Sequence, residues 1–169
     1  PGDDVNLCIG QGYLLVTPLQ LAVAYSAVAN KGKVLVPHLG RQITDPSGSI
    51  IHEFQTEVRG ELDLAGDTYA ALYKGLEMVT SDPLGTAHEA WKGFPIAVAG
   101  KTGTAEKLPD DDYAWFVGYA PIDNPEIVVV ALIEKGGHGS NVAAPVVRRV
   151  MEAYFRTGDT GLGDIEATE

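Results

Sequence analysis

Cysteine is almost missing from this chain. Cys8 stands alone among 169 residues, so neither an internal disulfide nor a cysteine metal cluster can form. Basic residues are scarce as well: 12 Lys and Arg face 23 Asp and Glu, a formal net charge of −11. A phosphate backbone rewards clustered cations, so a nucleic-acid partner is disfavoured and a solvated acidic surface is the plain reading. No apolar run approaches the ~20 residues of a membrane helix, and Pro1 does not open a signal peptide. The sequence as given therefore reads as a soluble body, with any membrane anchor lying upstream. What is present is ordinary for a globular protein, 45% hydrophobic and 21% charged. That length suits about one domain, able to bury roughly 70% of its unfolded surface.

The elements follow from periodicity and punctuation. Thr17 can cap a helix whose first position is Pro18, and Gly32 can end it after Asn30-Lys31. Between them, residues 19–29 are apolar on nearly every face, which predicts a central helix inside a larger body. Two short extended pieces, 34–36 and 50–54, flank a turn at Pro46-Ser47-Gly48. A second helix runs from about Asp67 to Thr80, with Tyr69, Leu72, Tyr73, Leu76 and Val79 on one face, until Asp82-Pro83-Leu84-Gly85 breaks it.

The last third predicts strands over 95–106, 113–120 and 126–134, joined as antiparallel hairpins. The third is apolar without alternation, so both its faces should be covered. Gly136-Gly137-His138-Gly139 then leads to Asn141 as a helix cap. The final helix carries Ala143, Val146, Val147, Val150, Met151 and Tyr154 on one stripe. Residues 158–169 read as a flexible acidic tail beyond a body spanning 1–157. The class is α+β: a three-stranded antiparallel sheet covered by helices, or a three-layer αβα sandwich whose thin sheet hints at further material.

The most informative stretch is Ala99-Gly100-Lys101-Thr102-Gly103-Thr104-Ala105, a cation, two hydroxyls and two glycines following an apolar run. Glycines let another backbone approach, and the ammonium and hydroxyls can hold a carboxylate. A P-loop is the obvious rival for Gly100-Lys101-Thr102. It needs a glycine five positions before Gly100, where Pro95 stands without an N–H. A bulged strand with a solvated lysine is the bland reading of three residues taken alone. Lys-Thr-Gly is also a signature of penicillin-binding proteins and class A β-lactamases.

Several further blocks make that specific. Gly10-Gln11-Gly12 leading into Val16-Thr17-Pro18-Leu19-Gln20, then Val36-Pro37-His38-Leu39, Gly85-Thr86-Ala87-His88, Trp115 to Pro121, and Gly136-Gly137 with Ala143-Ala144-Pro145 stand in order around it. Over about residues 3–156 the chain resembles the C-terminal part of class B penicillin-binding protein transpeptidase domains. The Gly85–His88 block leans toward the elongation-type, penicillin-binding protein 2-like members that shape the cell. The resemblance implies the β-lactamase/transpeptidase-like αβα sandwich and peptidoglycan D,D-transpeptidation. It implies a stem peptide ending in D-Ala-D-Ala as substrate, β-lactams as covalent inhibitors, and no cofactor or metal. It also implies a site on the outer face of the bacterial cell membrane, held by an upstream anchor, and the cell-elongation machinery as a partner.

Residue by residue, the resemblance makes Lys101 and Thr104 catalytic and gives substrate binding to Thr102, Gly103 and Thr104. Lys101 would bring positive charge to the nucleophile and carboxylate. The Thr102 and Thr104 hydroxyls would hold the carboxylate, and the Thr104 N–H would form half of an oxyanion hole. Gly103 would keep the docked peptide free of a β-carbon, so Gly103→Val should abolish acylation and leave the fold largely unchanged.

The departure matters as much. The family's nucleophile lies in Ser-x-x-Lys and a second motif reads Ser-x-Asn or Ser-x-Asp. None of Ser26, Ser47, Ser49, Ser81 and Ser140 has Lys three places on, or Asn or Asp two places on. The expectation is therefore an incomplete portion, inactive alone, whose partner is the missing N-terminal part of the domain. A β-lactamase-type hydrolase and a non-catalytic scaffold module are the alternatives; the Gly10–Gln20 block disfavours the first. Among other residues, His138 reads as a loop residue, His88 as structural, and Asp110-Asp111-Asp112 as a solvated hairpin. Trp115, Phe116 and Tyr119 read as core, and Gly10-Gln11-Gly12 as a turn rather than a substrate contact.

Overall fold

The computed structural model describes residues 2–107 and 109–158. The tail expected over 158–169 lies, apart from Gly158, outside the described residues.

A helix α1 (Gly2–Cys8) precedes α2 (Pro18–Ala29). The start of α2 is fixed by a reciprocal cap: the Gln20 N–H donates to Thr17 Oγ1 at 3.2 Å, and the Thr17 N–H donates to Gln20 Oε1 at 2.8 Å. The strands β1 (Lys33–Leu35), β2 (Gln42–Thr44), β3 (Ile50–Glu53) and β4 (Val58–Glu61) form two small antiparallel ribbons, β1 with β4 and β2 with β3. The turn at residues 46–48 therefore joins β2 to β3, rather than joining the pieces at 34–36 and 50–54. Asp45 makes it, accepting from the Ser47 N–H at 2.8 Å, the Ser47 hydroxyl at 2.6 Å and the Ser49 N–H at 3.0 Å.

Next come α3 (Gly66–Ser81), the single turn α4 (His88–Trp91), the strands β5 (Ala99–Ala105), β6 (Tyr113–Ala120) and β7 (Ile127–Ile133), and α5 (Ala143–Phe155). The sheet order is β5-β6-β7, antiparallel throughout. β5 begins at Ala99 and not near 95 because the backbone before it is engaged elsewhere. Pro95 has no donor, the Ala97 carbonyl accepts from the Ile122 N–H at 3.2 Å, and the Val98 carbonyl accepts from the Thr80 hydroxyl at 2.5 Å.

Alternation along β6 builds the two cores. Ala114, Phe116 and Ala120 face Trp91 of α4 and Ala143, Ala144, Val147 and Met151 of α5. Tyr119 faces the other way, with Ala99, against Ala29 of α2 and Leu76 of α3. Helices thus cover both faces of the sheet, as the run in β7 requires. Each fully buried large side chain, such as Phe116 or Met151, contributes about 1.5–3 kcal/mol.

Two helical readings are corrected. On α5 the buried residues are Ala143, Ala144, Val147 and Met151, while Val146, Val150 and Tyr154 are 42%, 44% and 50% exposed. The inward stripe is rotated from the expected one because it follows the flank of a narrow sheet. Asn141 does not cap α5 either; the Gly139 carbonyl accepts the Ala143 and Ala144 N–H groups at 3.1 and 2.9 Å. Only Ala27 and Ala29 of α2 are buried, with Leu19 60% exposed. A helix apolar all round here finds cover on one side, from the sheet and α3.

Candidate functional site

β5 runs along one border of the sheet, and among the described residues it pairs with β6 alone. Directly opposed residues share a face, so the pairs Lys101↔Val117 and Gly103↔Trp115 put Lys101 and Gly103 on the α2–α3 side. Thr102 and Thr104, opposite Phe116 and Ala114, lie on the α4–α5 side. The four predicted site residues are therefore divided across the strand, and only Lys101 reaches round its edge. The Lys101 ammonium bends round and donates to the Thr102 carbonyl at 2.8 Å. It is exposed, at an edge that an extended chain can reach.

Side-chain donors on the Thr102 and Thr104 carbonyls identify the orientation of the backbone. The Gln11 amide reaches the Thr104 carbonyl at 3.0 Å. In a pleated strand the N–H and C=O of one residue point to the same side, so Thr102 and Thr104 present both groups to the free border, while Lys101 and Gly103 turn theirs to β6. This border offers the Thr104 N–H and the Lys101 ammonium within one short stretch, with the Thr102 and Thr104 side chains leaving toward α4 and α5.

The neighbours set the shape. Gly85 closes the turn after α3: a Cβ there would collide with the Met78 and Val79 carbonyl oxygens, and the Ala87 N–H donates to the Val79 carbonyl at 2.9 Å. That turn delivers Thr86, whose hydroxyl lies 2.9 Å from the Thr102 hydroxyl. Gly139 is buried against the backbone of Gly103 and Trp115, where a Cβ would collide with both carbonyl oxygens. Gly103 differs from expectation. Its Cβ would point along the Lys101 face, 3.1 Å from Trp115 Cβ, so a valine there presses on Trp115. Phe116 and Tyr119 are core, both 0% exposed; Trp115 is half-buried beside Gly103.

His138 is an exposed loop residue. Asp110 pairs with Lys135 at 3.1 Å in an open loop. Among the described residues no group of three His, Cys, Asp or Glu side chains converges as a metal site. Sequence reasoning missed Gln11, Thr86 and Gly139 as site neighbours. The Gly10-Gln11-Gly12 and Gly85-Thr86 blocks were visible, but nothing local said what their polar side chains touch.

Comparison with known proteins agrees with this geometry. The family model described as the penicillin binding protein transpeptidase domain matches residues 4–152. The chain belongs to that family. It is 36% identical to the peptidoglycan D,D-transpeptidase MrdA of Haemophilus influenzae, over 91% of this chain and 26% of the relative. It is 32% identical to the stage V sporulation protein D of Bacillus subtilis, over 89% of this chain and 24% of the relative. The chain spans about a quarter of the length of the curated relatives it matches.

Among solved structures, Pseudomonas aeruginosa PBP2 in complex with WCK 5153 superposes with a TM-score of 0.79 at 36% identity, covering 100% of this chain and 36% of that one. The imipenem acyl-enzyme complex of penicillin-binding protein A from M. tuberculosis gives 0.74 at 29% identity, covering 89% and 33%. The α+β layering expected from the sequence is the penicillin-binding fold of these structures, and the PBP2-like lean of the sequence agrees with the relatives found.

Proposed function

We propose that this chain forms the lysine-strand wall of a peptidoglycan D,D-transpeptidase whose attacking serine is carried by polypeptide outside this sequence. One observation carries the reading: the Lys101 ammonium and the outward backbone groups of Thr102 and Thr104 lie along the unpaired border of β5, with the two threonine side chains beside it. A substrate peptide ending in D-Ala-D-Ala adds to that border as an extended strand. Its terminal carboxylate is held by the Thr102 and Thr104 hydroxyls and drawn by the Lys101 charge.

The serine oxygen attacks the carbonyl carbon of the D-Ala–D-Ala bond. The negative charge on the carbonyl oxygen is taken by the Thr104 N–H together with the serine's own N–H. The C–N bond then breaks, the departing D-Ala amine takes a proton, and an acyl ester remains. An amine from a second stem peptide attacks the ester, forms the crosslink and returns the proton to the serine oxygen. Lys101 favours the anionic partners in each step and passes protons within the serine motif. β-Lactams enter the same site and stop at the acyl-enzyme. The enzyme works, membrane-anchored, at the outer face of the cell membrane. Among the described residues no helix is long and apolar enough to cross a membrane. Its partners are the rest of the domain and the elongation machinery.

The reading is tested in the enzyme that joins this chain to the Ser-x-x-Lys segment. Lys101→Ala should slow acylation by fluorescent penicillin on the order of a hundredfold, with thermal stability unchanged. Labelling at the wild-type rate overturns the assigned role.

A further inference from the structure

We propose that Gln11 is a specificity-determining residue: its side-chain amide occupies the backbone acceptor that an arriving strand has to use. The border of β5 then discriminates among ligands by whether they bring an N–H to that acceptor. This rests on the transpeptidase reading above and adds a competitor to it. The Gln11 amide donates to the Thr104 carbonyl at 3.0 Å, and the Lys101 ammonium donates to the Thr102 carbonyl at 2.8 Å. Both outward carbonyls at the site are therefore taken by side chains, on a border that no strand covers among the described residues.

Antiparallel strands pair residue with residue, and a pair joined by hydrogen bonds exchanges two of them, each N–H meeting the other's carbonyl. A substrate residue whose carbonyl oxygen is held by the Thr104 N–H thus brings its own N–H to the Thr104 carbonyl. The Gln11 amide already stands there. The base of that side chain is fixed: the Asn6 carbonyl accepts the Gln11 N–H at 2.9 Å, and Gly10 and Gly12 flank it at φ of 76° and 88°. The turn accounts for both glycines but not for an amide between them. Beyond its fixed base, the side chain has several torsions through which the amide can leave without unwinding the turn. The contact is half-buried, so water can receive the released group. A ligand with an N–H at this point has to displace Gln11, whereas a ligand without one leaves it in place.

The test compares two β-lactams on the enzyme joined to its Ser-x-x-Lys segment. Penicillin G carries an amide N–H on the carbon beside its lactam carbonyl, as the peptide does; imipenem carries a hydroxyethyl group there. Stopped-flow acylation separates the dissociation constant from the acylation rate constant, with melting temperature as the folding control. Gln11→Ala should lower the dissociation constant of penicillin G about fivefold, the scale of one hydrogen bond, with that of imipenem and the melting temperature unchanged. Gln11→Asn, one methylene shorter, keeps an amide in the turn and should behave as Gln11→Ala does. An unchanged or raised penicillin G constant in either variant overturns the proposal, because the carbonyl then serves both donors or Gln11 supports the site. An equal fall for imipenem overturns it too, and in each case the transpeptidase reading stands. A wild-type enzyme that penicillin does not label overturns that reading, and this proposal with it.

Discussion

At Gly100 an added Cβ would lie 2.6 Å from the ζ-carbon of Phe116 and 2.6 Å from the Val117 carbonyl oxygen. Phe116 is fully buried and cannot retreat, so the glycine before the lysine is demanded by the core under the strand. Gly100→Ala should lower unfolding free energy by about 1–3 kcal/mol, the usual cost of overpacking, read as a fall in denaturant midpoint. Lys101, Thr102 and Thr104 were legible as a set because a cation and two hydroxyls between glycines are unusual on a strand. Their division between two faces was not, since it depends on register with β6. Gln11 was legible only as part of a turn, because a contact across 93 residues leaves no trace in local spacing. Gly103 shows the limit of arguing from residue type: the space it leaves lies against Trp115, on the face and not at the border.

The elements that position the site are tied by a few polar contacts. Arg148 of α5 donates to the Ala90 and Lys92 carbonyls at 2.9 and 3.0 Å, with its Nε 2.7 Å from Glu152. Arg148→Ala therefore frees α4 and the turn carrying Thr86, and should cost about 2 kcal/mol, measured by chemical denaturation. The reciprocal cap of α2 gives a smaller effect. Thr17→Ala should cost about 1 kcal/mol, seen as a lower melting temperature. Thr17-Pro18 and the apolar face of α3 were readable because caps and 3.6-residue periods are local signals. The strands β2 and β4 were not, being short, exposed and without alternation. The stripe of α5 was misread because a run of valines fits several helix faces, and only the sheet chooses among them.

At the scale of the whole molecule, three tyrosines meet on the α2–α3 side of the sheet. Burial raises the Tyr119 hydroxyl well above its ordinary pKa, with Tyr73 and Tyr25 adding to it, and raises those of Tyr73 and Tyr25 as well. The Tyr119 hydroxyl is buried with no hydrogen-bond partner among the described residues. A raised folded pKa favours the fold below the unfolded value of about 10. That stability is lost as pH rises above it, because the unfolded chain ionises first. Denaturation midpoints should therefore hold steady from neutral pH to about 9 and fall steeply beyond 10, and Tyr119→Phe should flatten that fall.

The stretch from α1 to the start of α2 carries apolar side chains in the open. Val5, Ile9, Tyr13, Leu15 and Leu19 are 65%, 72%, 89%, 89% and 60% exposed, beside the turn that holds Gln11 against β5. Such a concentration is expected of a surface that another part of a domain covers, and on our account that part brings the serine. The direct measurement is covalent labelling by fluorescent penicillin, read on a denaturing gel, for this chain alone and joined to the segment bearing Ser-x-x-Lys. The account predicts no label on the chain alone and a label on the joined protein that is lost when the serine of that motif becomes alanine. Covalent labelling of the isolated chain, or none in the joined protein, contradicts it.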